Sequence, residues 1–204
     1  MERGRDGKVL FLPGATGDGN FWKSAGEMLP SPWEKCYLSW PGLGRQPRLR
    51  GVDGIEGLVR MAKDTLDRPS AVVAQSMGGI IGLALALEFP DLVTRLVLAA
   101  TSGGINVTAF GAKDWREEFL AEYPDTDRWI LGEMPDMTRL ISTLTVPTLL
   151  LWGEDDPISP PSVGEYLAGI IPDARLVIIP RGGHSFCSEM AGLVAPRLIE
   201  HLTS

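Results

Sequence analysis

Val72-Val73-Ala74-Gln75-Ser76-Met77-Gly78-Gly79 is an apolar run that ends abruptly at a serine between small residues. It continues as Ile80-Ile81-Gly82-Leu83-Ala84-Leu85-Ala86-Leu87, apolar on nearly every face, before Pro90 stops it. A short buried strand followed at once by a buried helix leaves only one or two residues for the turn. Such a turn forces its central residue into a strained backbone conformation, and bulky side chains beside it would clash. The small Ala74 and Gly78 meet that demand. The reading predicts a strand over 70–74 and a helix over 78–89, with the Ser76 hydroxyl lifted above the end of a sheet at a helix N-terminus.

The chain on either side has the same organisation. Lys8-Val9-Leu10-Phe11-Leu12 reads as a buried strand that runs into the Gly-rich loop Pro13-Gly14-Ala15-Thr16-Gly17-Asp18-Gly19, with a helix expected over about 21–29. A second strand is expected over 34–40, closed by Pro41-Gly42-Leu43-Gly44 and followed by an Arg-rich surface loop to Gly51. Ile55, Leu58, Val59, Ala62 and Leu66 then mark one face of a helix.

Another strand is expected over 94–100, after which the alternation lapses between 102 and 145. There Trp115, Phe119 and Tyr123 share a helical stripe that Pro124 ends, and Trp129, Ile130 and Leu131 form a short apolar cluster. Met137, Leu140, Ile141 and Leu144 complete the segment as an amphipathic helix. A strand over 146–152 leads into Gly153-Glu154-Asp155-Asp156-Pro157-Ile158, and a helix with Val163, Tyr166, Leu167, Ile170 and Ile171 on one face packs back. The last strand, 174–179, runs through Pro180-Arg181-Gly182-Gly183-His184-Ser185-Phe186 into a terminal helix that Pro196 starts or kinks.

Six strands alternating with helices specify an α/β fold with a mostly parallel six-stranded sheet and helices on both faces. Right-handed crossovers place the chemistry-bearing loops at the carboxyl ends of the strands. No repeat, low-complexity run or linker divides the chain. The expectation is a single domain over 1–204 with a short helical cap insertion at about 103–145.

Composition bounds the function. A chain of 204 residues, 44% hydrophobic and 22% charged, suits one well-packed core. Its net charge of −7 argues against nucleic acid or an anionic membrane as partner, because both would be repelled. Cys36 and Cys187 offer no disulfide framework and no metal-ligand cluster. The charged start, Met1-Glu2-Arg3-Gly4-Arg5-Asp6, reads directly into a strand without a signal-peptide core, and no run is long enough for a membrane span. A cytoplasmic location is the expectation.

A serine hydroxyl is a weak nucleophile that needs a base within hydrogen-bond reach and a group that orients the base. Of the two histidines, His201 lies at the end of the terminal helix, whereas His184 stands in a Gly-rich loop straight after a strand. His184 is the candidate base. Asp155 and Asp156 share the loop after the preceding strand, and one of them is the candidate acid. Ala74-x-Ser76-x-Gly78 is a one-residue variant of the G-x-S-x-G nucleophile elbow, and the order serine, aspartate, histidine, each after a different strand, matches it.

On these residues the chain resembles the α/β-hydrolase superfamily, and most closely its cofactor-free, esterase-like branch with a short lid. The resemblance implies the α/β-hydrolase fold and selects Asp156, because the acid there commonly stands in a G-x-x-D pattern, as in Gly153-Glu154-Asp155-Asp156. It also implies an oxyanion hole of two backbone N–H groups, which carry over to Met77 and Ala15. Losing one such donor costs about 3 kcal/mol of barrier. The chain departs from the pattern in Pro13-Gly14 where His-Gly is usual, in Ala74 for the first elbow glycine, and in lacking an antiparallel hairpin before Val9.

The activity so implied is a serine hydrolase that cleaves carboxylic esters, thioesters included, through an acyl-enzyme, with catalytic residues Ser76, Asp156 and His184, a small-molecule substrate, no cofactor and no metal. Dehalogenases and epoxide hydrolases of this fold carry an aspartate nucleophile instead. A lyase or C–C bond hydrolase on the same triad is the rival enzyme, and a non-catalytic small-molecule receptor is the rival of another class. No G-x-G-x-x-G or Gly-Lys-Ser/Thr supports phosphate binding. Phe21, Trp22, Met77, Trp115, Phe119, Trp129, Ile158 and Phe186 are the candidates for the substrate pocket, whose short lid suits small or extended substrates.

Overall fold

The computed structural model describes residues 7–204, so the charged start at 1–6 lies outside the described residues. Strands β1 (Lys8–Leu12), β2 (Glu34–Tyr37), β3 (Ser70–Gln75), β4 (Val93–Ala99), β5 (Thr148–Gly153) and β6 (Ala174–Ile179) form one sheet in the order β2-β1-β3-β4-β5-β6. All five pairings are parallel. The order reverses beside β1, where the chain leaves outward to β2 and returns to β3. The loops after β1 and β3 therefore stand side by side at a topological switch point.

Alternate residues along each strand serve opposite faces of the sheet. Leu10, Leu12, Val72, Ala74, Leu96 and Leu98 enter one core with α2 (Ile55–Thr65), α3 (Met77–Glu88) and α6 (Pro161–Ile170). Val9, Phe11, Val73, Val97 and Leu149 enter the other with α1 (Lys23–Gly26), α7 (Phe186–Glu189) and α8 (Ala191–Thr203). Both faces are covered, which is why β1, β3 and β5 are buried along their whole length and read as apolar runs. Helix α3 carries Gly78, Gly79 and Gly82, each costing about 1 kcal/mol relative to alanine. Burial of Ile80, Ile81, Leu83 and Leu85, at about 1.5–3 kcal/mol each, outweighs that cost.

Between β4 and β5 the chain holds two 3-10 turns, Val107–Phe110 and Arg128–Leu131, and two short helices, α4 (Arg116–Glu122) and α5 (Thr138–Ile141). The Trp115 stripe packs together, with Phe119 edge-on to Trp115 at 5.2 Å between ring centres and tilted against Tyr123 at 5.0 Å. The helix expected from Met137 to Leu144 is a single turn. Thr143 Oγ1 donates to the Leu140 carbonyl, and Ser142 Oγ to that of Arg139, so side chains take the carbonyls a longer helix would need. The helix expected over 21–29 is likewise shorter, a 3-10 turn at Gly19–Trp22 leading into α1, whose exit closes through three-residue bonds from Met28 to Ala25 and Leu29 to Gly26. Strand β2 ends at Tyr37 because Trp40 leaves the sheet edge and donates its backbone N–H to Gly17.

Pro196 lies inside α8 rather than at its start. On the same helix His201 is buried and donates Nε2–H to the Leu96 carbonyl at 3.0 Å. Burial, assisted by Arg95 and Arg175, holds its imidazole below the ordinary value of 6.5 against the opposing Leu96 hydrogen bond. The folded state therefore binds this proton less readily than the unfolded chain. Its contribution to stability is complete above pH 6.5 and is lost as pH falls from there through the depressed folded value. His201→Gln, which keeps a donor but does not titrate, is expected to flatten the acid side of the stability curve in denaturant titrations between neutral and acid pH. An unchanged slope would show that His201 does not contribute to it.

Candidate active site

Ser76 is the single residue between β3 and α3, with φ 53° and ψ −124°. No other element separates strand from helix, so the whole reversal falls on one strained residue. The close packing around it explains the glycines. A Cβ on Gly78 would stand 2.3 Å from the Pro13 carbonyl oxygen and 2.9 Å from that of Leu12, and one on Gly79 would stand 2.4 Å from Thr101 Oγ1. Ala74, the departure from the elbow pattern, is accommodated by the helix: its Cβ lies 3.1 Å from where Gly82 would carry one.

Gly153 has the corresponding role on the acid side. A Cβ there would meet the Gly182 oxygen at 2.3 Å and the Gly183 oxygen at 2.7 Å. Its absence lets the loops after β5 and β6 run against each other, fastened by Asp155 N–H to Gly182 O at 2.9 Å. That approach brings Asp156 to His184.

Asp156 is buried, and its Oδ1 accepts the N–H groups of Ile158 at 2.8 Å and Ser159 at 3.0 Å. Oδ2 lies 2.9 Å from His184 Nδ1, and His184 Nε2 lies 3.0 Å from Ser76 Oγ. A carboxylate can only accept, so Nδ1 carries the proton and Nε2 is free to accept from the serine hydroxyl. Asp155 is exposed and surface-directed. The three residues singled out in the sequence thus converge from three loops into one hydrogen-bonded line.

The loop after β1 presses against the serine: a Cβ on Gly14 would stand 3.0 Å from Ser76 Cβ and 2.4 Å from Gln75 Oε1. Among the described residues no acceptor takes the Ala15 N–H. Met77 opens α3, where the helix offers its N–H no partner. Two indoles hold this loop, Trp22 Nε1 donating to Leu12 O at 2.9 Å and Trp40 Nε1 to Pro13 O at 2.8 Å.

The apolar candidates separate into two groups, apart from Met77, which is buried at the start of α3. Trp22 and Phe186 are corrected: both are fully buried in the core under α1, α7 and α8, because their large rings fill the space between those short helices and the sheet. Phe21, Trp115, Phe119, Trp129 and Ile158 are half-buried. A cleft of about 410 Å³ opens between residues 44–48 and 122–125, and none of Ser76, Asp156 and His184 lines it. Sequence reasoning missed Thr101, Ser159 and Gln75, all buried beside the site. No motif marks the first two; Gln75, next to the serine and inside an apolar run, carried a signal as a buried amide in need of partners.

The sequence profile of the alpha/beta hydrolase family matches residues 9–197. A pimeloyl-[acyl-carrier protein] methyl ester esterase of Neisseria meningitidis is 26% identical over 87% of this chain and 86% of its own. A 2-hydroxy-6-oxononadienedioate/2-hydroxy-6-oxononatrienedioate hydrolase of a Pseudomonas species is 22% identical over 84% of this chain and 77% of its own. Among solved structures, a hydrolase from Pseudomonas aeruginosa PA01 superposes with a TM-score of 0.80 at 20% identity, covering 100% of this chain and 92% of that one, which is a likeness of fold. With a family match across nearly its whole length and the fold to go with it, the chain belongs to the alpha/beta hydrolase family.

Proposed function

We propose that the protein is a serine hydrolase that cleaves small carboxylic esters, thioesters included, through an acyl-enzyme. The observation that carries this reading is the unbroken line from Asp156 Oδ2 through His184 to Ser76 Oγ, at 2.9 and 3.0 Å. As Ser76 attacks the carbonyl carbon, its proton passes to His184 Nε2, and Asp156 stabilises the imidazolium while holding its orientation. The Ala15 and Met77 N–H groups receive the charge that develops on the former carbonyl oxygen. His184 returns the proton to the departing alkoxide, or to the thiolate of a thioester, and a water molecule then repeats the sequence on the acyl-serine. Similarity to the Neisseria methyl ester esterase supports ester chemistry.

Intact-mass measurement during turnover of p-nitrophenyl acetate tests the reading. An acetyl adduct that maps to Ser76 and is absent from Ser76→Ala is expected. Turnover by a protein whose Ser76 takes up neither acetyl nor fluorophosphonate would overturn the acyl-enzyme, and no turnover together with no fluorophosphonate labelling of Ser76 would leave the receptor reading.

A further inference from the structure

Beyond the triad, two buried hydroxyls close it into a ring. Thr101 Oγ1 donates to the Ser76 carbonyl at 2.6 Å and accepts the Gly103 N–H at 3.1 Å. The Thr101 carbonyl accepts from Ser159 Oγ at 3.1 Å, and the Ser159 N–H donates to Asp156 Oδ1 at 3.0 Å. Asp156 leads through His184 back to Ser76, where the circuit began. Thr101 is 0% and Ser159 3% exposed, so water does not compete for these bonds.

We propose that Thr101 and Ser159 are positioning residues, which set the separation of nucleophile and acid from the side opposite His184. The inference rests on the hydrolase reading above for its kinetic consequence. Physically, Ser76 sits at a strained φ of 53°, and its carbonyl already accepts Gly79 N–H at 2.9 Å. The Thr101 hydroxyl fills the remaining lone pair of that carbonyl and opposes relaxation of the turn. Ser159 ties the same threonine to the loop that presents the carboxylate. The strand-end geometry supports this, since Ala100, immediately before Thr101, also takes a positive φ of 47°. Neither hydroxyl meets substrate; both act through the groups they hold.

Replacing the Thr101 hydroxyl with a methyl opens the ring while keeping the β-branched shape of the side chain. Thr101→Val is expected to lower kcat and the fluorophosphonate inactivation rate of Ser76 by about 10- to 100-fold, the scale of a sub-ångström misplacement, with KM unchanged. Thr101→Ser recovers most of the rate. Ser159→Ala lowers it by a smaller factor, and adding it to Thr101→Val brings no further loss, because the circuit is already broken. A spectroscopic readout stands apart from turnover: the downfield His184 Nδ1–H proton resonance, sharp in the wild type and in Ser76→Ala, broadens in Thr101→Val and Ser159→Ala.

If these variants keep the resonance and the inactivation rate and lose only melting temperature, the hydroxyls are packing groups and the inference is overturned. A wild-type protein inert to fluorophosphonate whose resonance still responds to Thr101→Val would sink the hydrolase reading and keep the ring. Should Thr101→Val not fold, Thr101→Ser and Ser159→Ala carry the same comparison.

Discussion

Ser76→Ala lowers kcat on a p-nitrophenyl ester by about 10⁴- to 10⁶-fold, and His184→Ala falls in the same range. The size follows from how the groups act. Without Oγ no acyl-enzyme forms, and without Nε2 the hydroxyl keeps its proton and remains a weak nucleophile. The two losses do not add: Ser76→Ala/His184→Ala retains the rate of either single variant, because each alone removes the covalent route. What persists is the contribution of binding and of the Ala15 and Met77 N–H groups proposed as oxyanion donors. Steady-state rates on purified variants, with folding monitored by circular dichroism, check the result. A Ser76→Ala variant that retains a large part of the wild-type rate would remove Ser76 from the mechanism.

The second large effect is on stability. Gly78→Ala is expected to destabilise the fold by about 2–4 kcal/mol, at or above the usual cost of overpacking. Its new methyl would lie 2.3 Å from Pro13 O and 2.9 Å from Leu12 O, and neither is the tip of a flexible side chain. Both carbonyls belong to the end of β1 and its loop, and each already receives an indole, Trp40 at 2.8 Å and Trp22 at 2.9 Å. For the methyl to fit, α3 must move off β1 or those hydrogen bonds must break. Either movement also displaces Ala15, so activity falls with stability. Gly169→Ala is the contrast. It lies exposed in α6 with nothing near its added Cβ, and alanine there is expected to stabilise by about 0.5–1 kcal/mol. Urea midpoints for the two variants decide the matter, and a Gly78→Ala midpoint equal to the wild type would show that the contact is soft.

Much of the site could be read in the chain because a strand-turn-helix elbow imposes local demands. Ala74, Ser76 and Gly78 are short-range requirements of one sharp turn, and Gly153 and Gly182 mark loops that run close to each other's backbone. Cap residues were less legible. Met137, Ile141 and Leu144 are buried as a helical face would require, but Leu140 of the same expected face is exposed and the helix is one turn long, since Ser142 and Thr143 take the carbonyls that its extension would use. Trp22 and Phe186 misled for a related reason: an aromatic side chain beside a catalytic loop looks the same in sequence whether it faces the mouth or the core.

The sequence by itself determined the parallel α/β framework, the strained serine and the histidine that meets it, because periodicity, glycine placement and the scarcity of histidine are properties of short stretches of chain. Only the tertiary structure decided between Asp155 and Asp156 on geometric grounds, set two tryptophans behind the loop after β1, and joined Thr101 and Ser159 to the line of Asp156, His184 and Ser76. Those relations link residues as far apart as Thr101 and Ser159, or Trp40 and Pro13, through single hydrogen bonds to backbone. Such bonds need only a donor or a carbonyl in the right place, and any residue supplies a carbonyl, so they leave no pattern in the sequence.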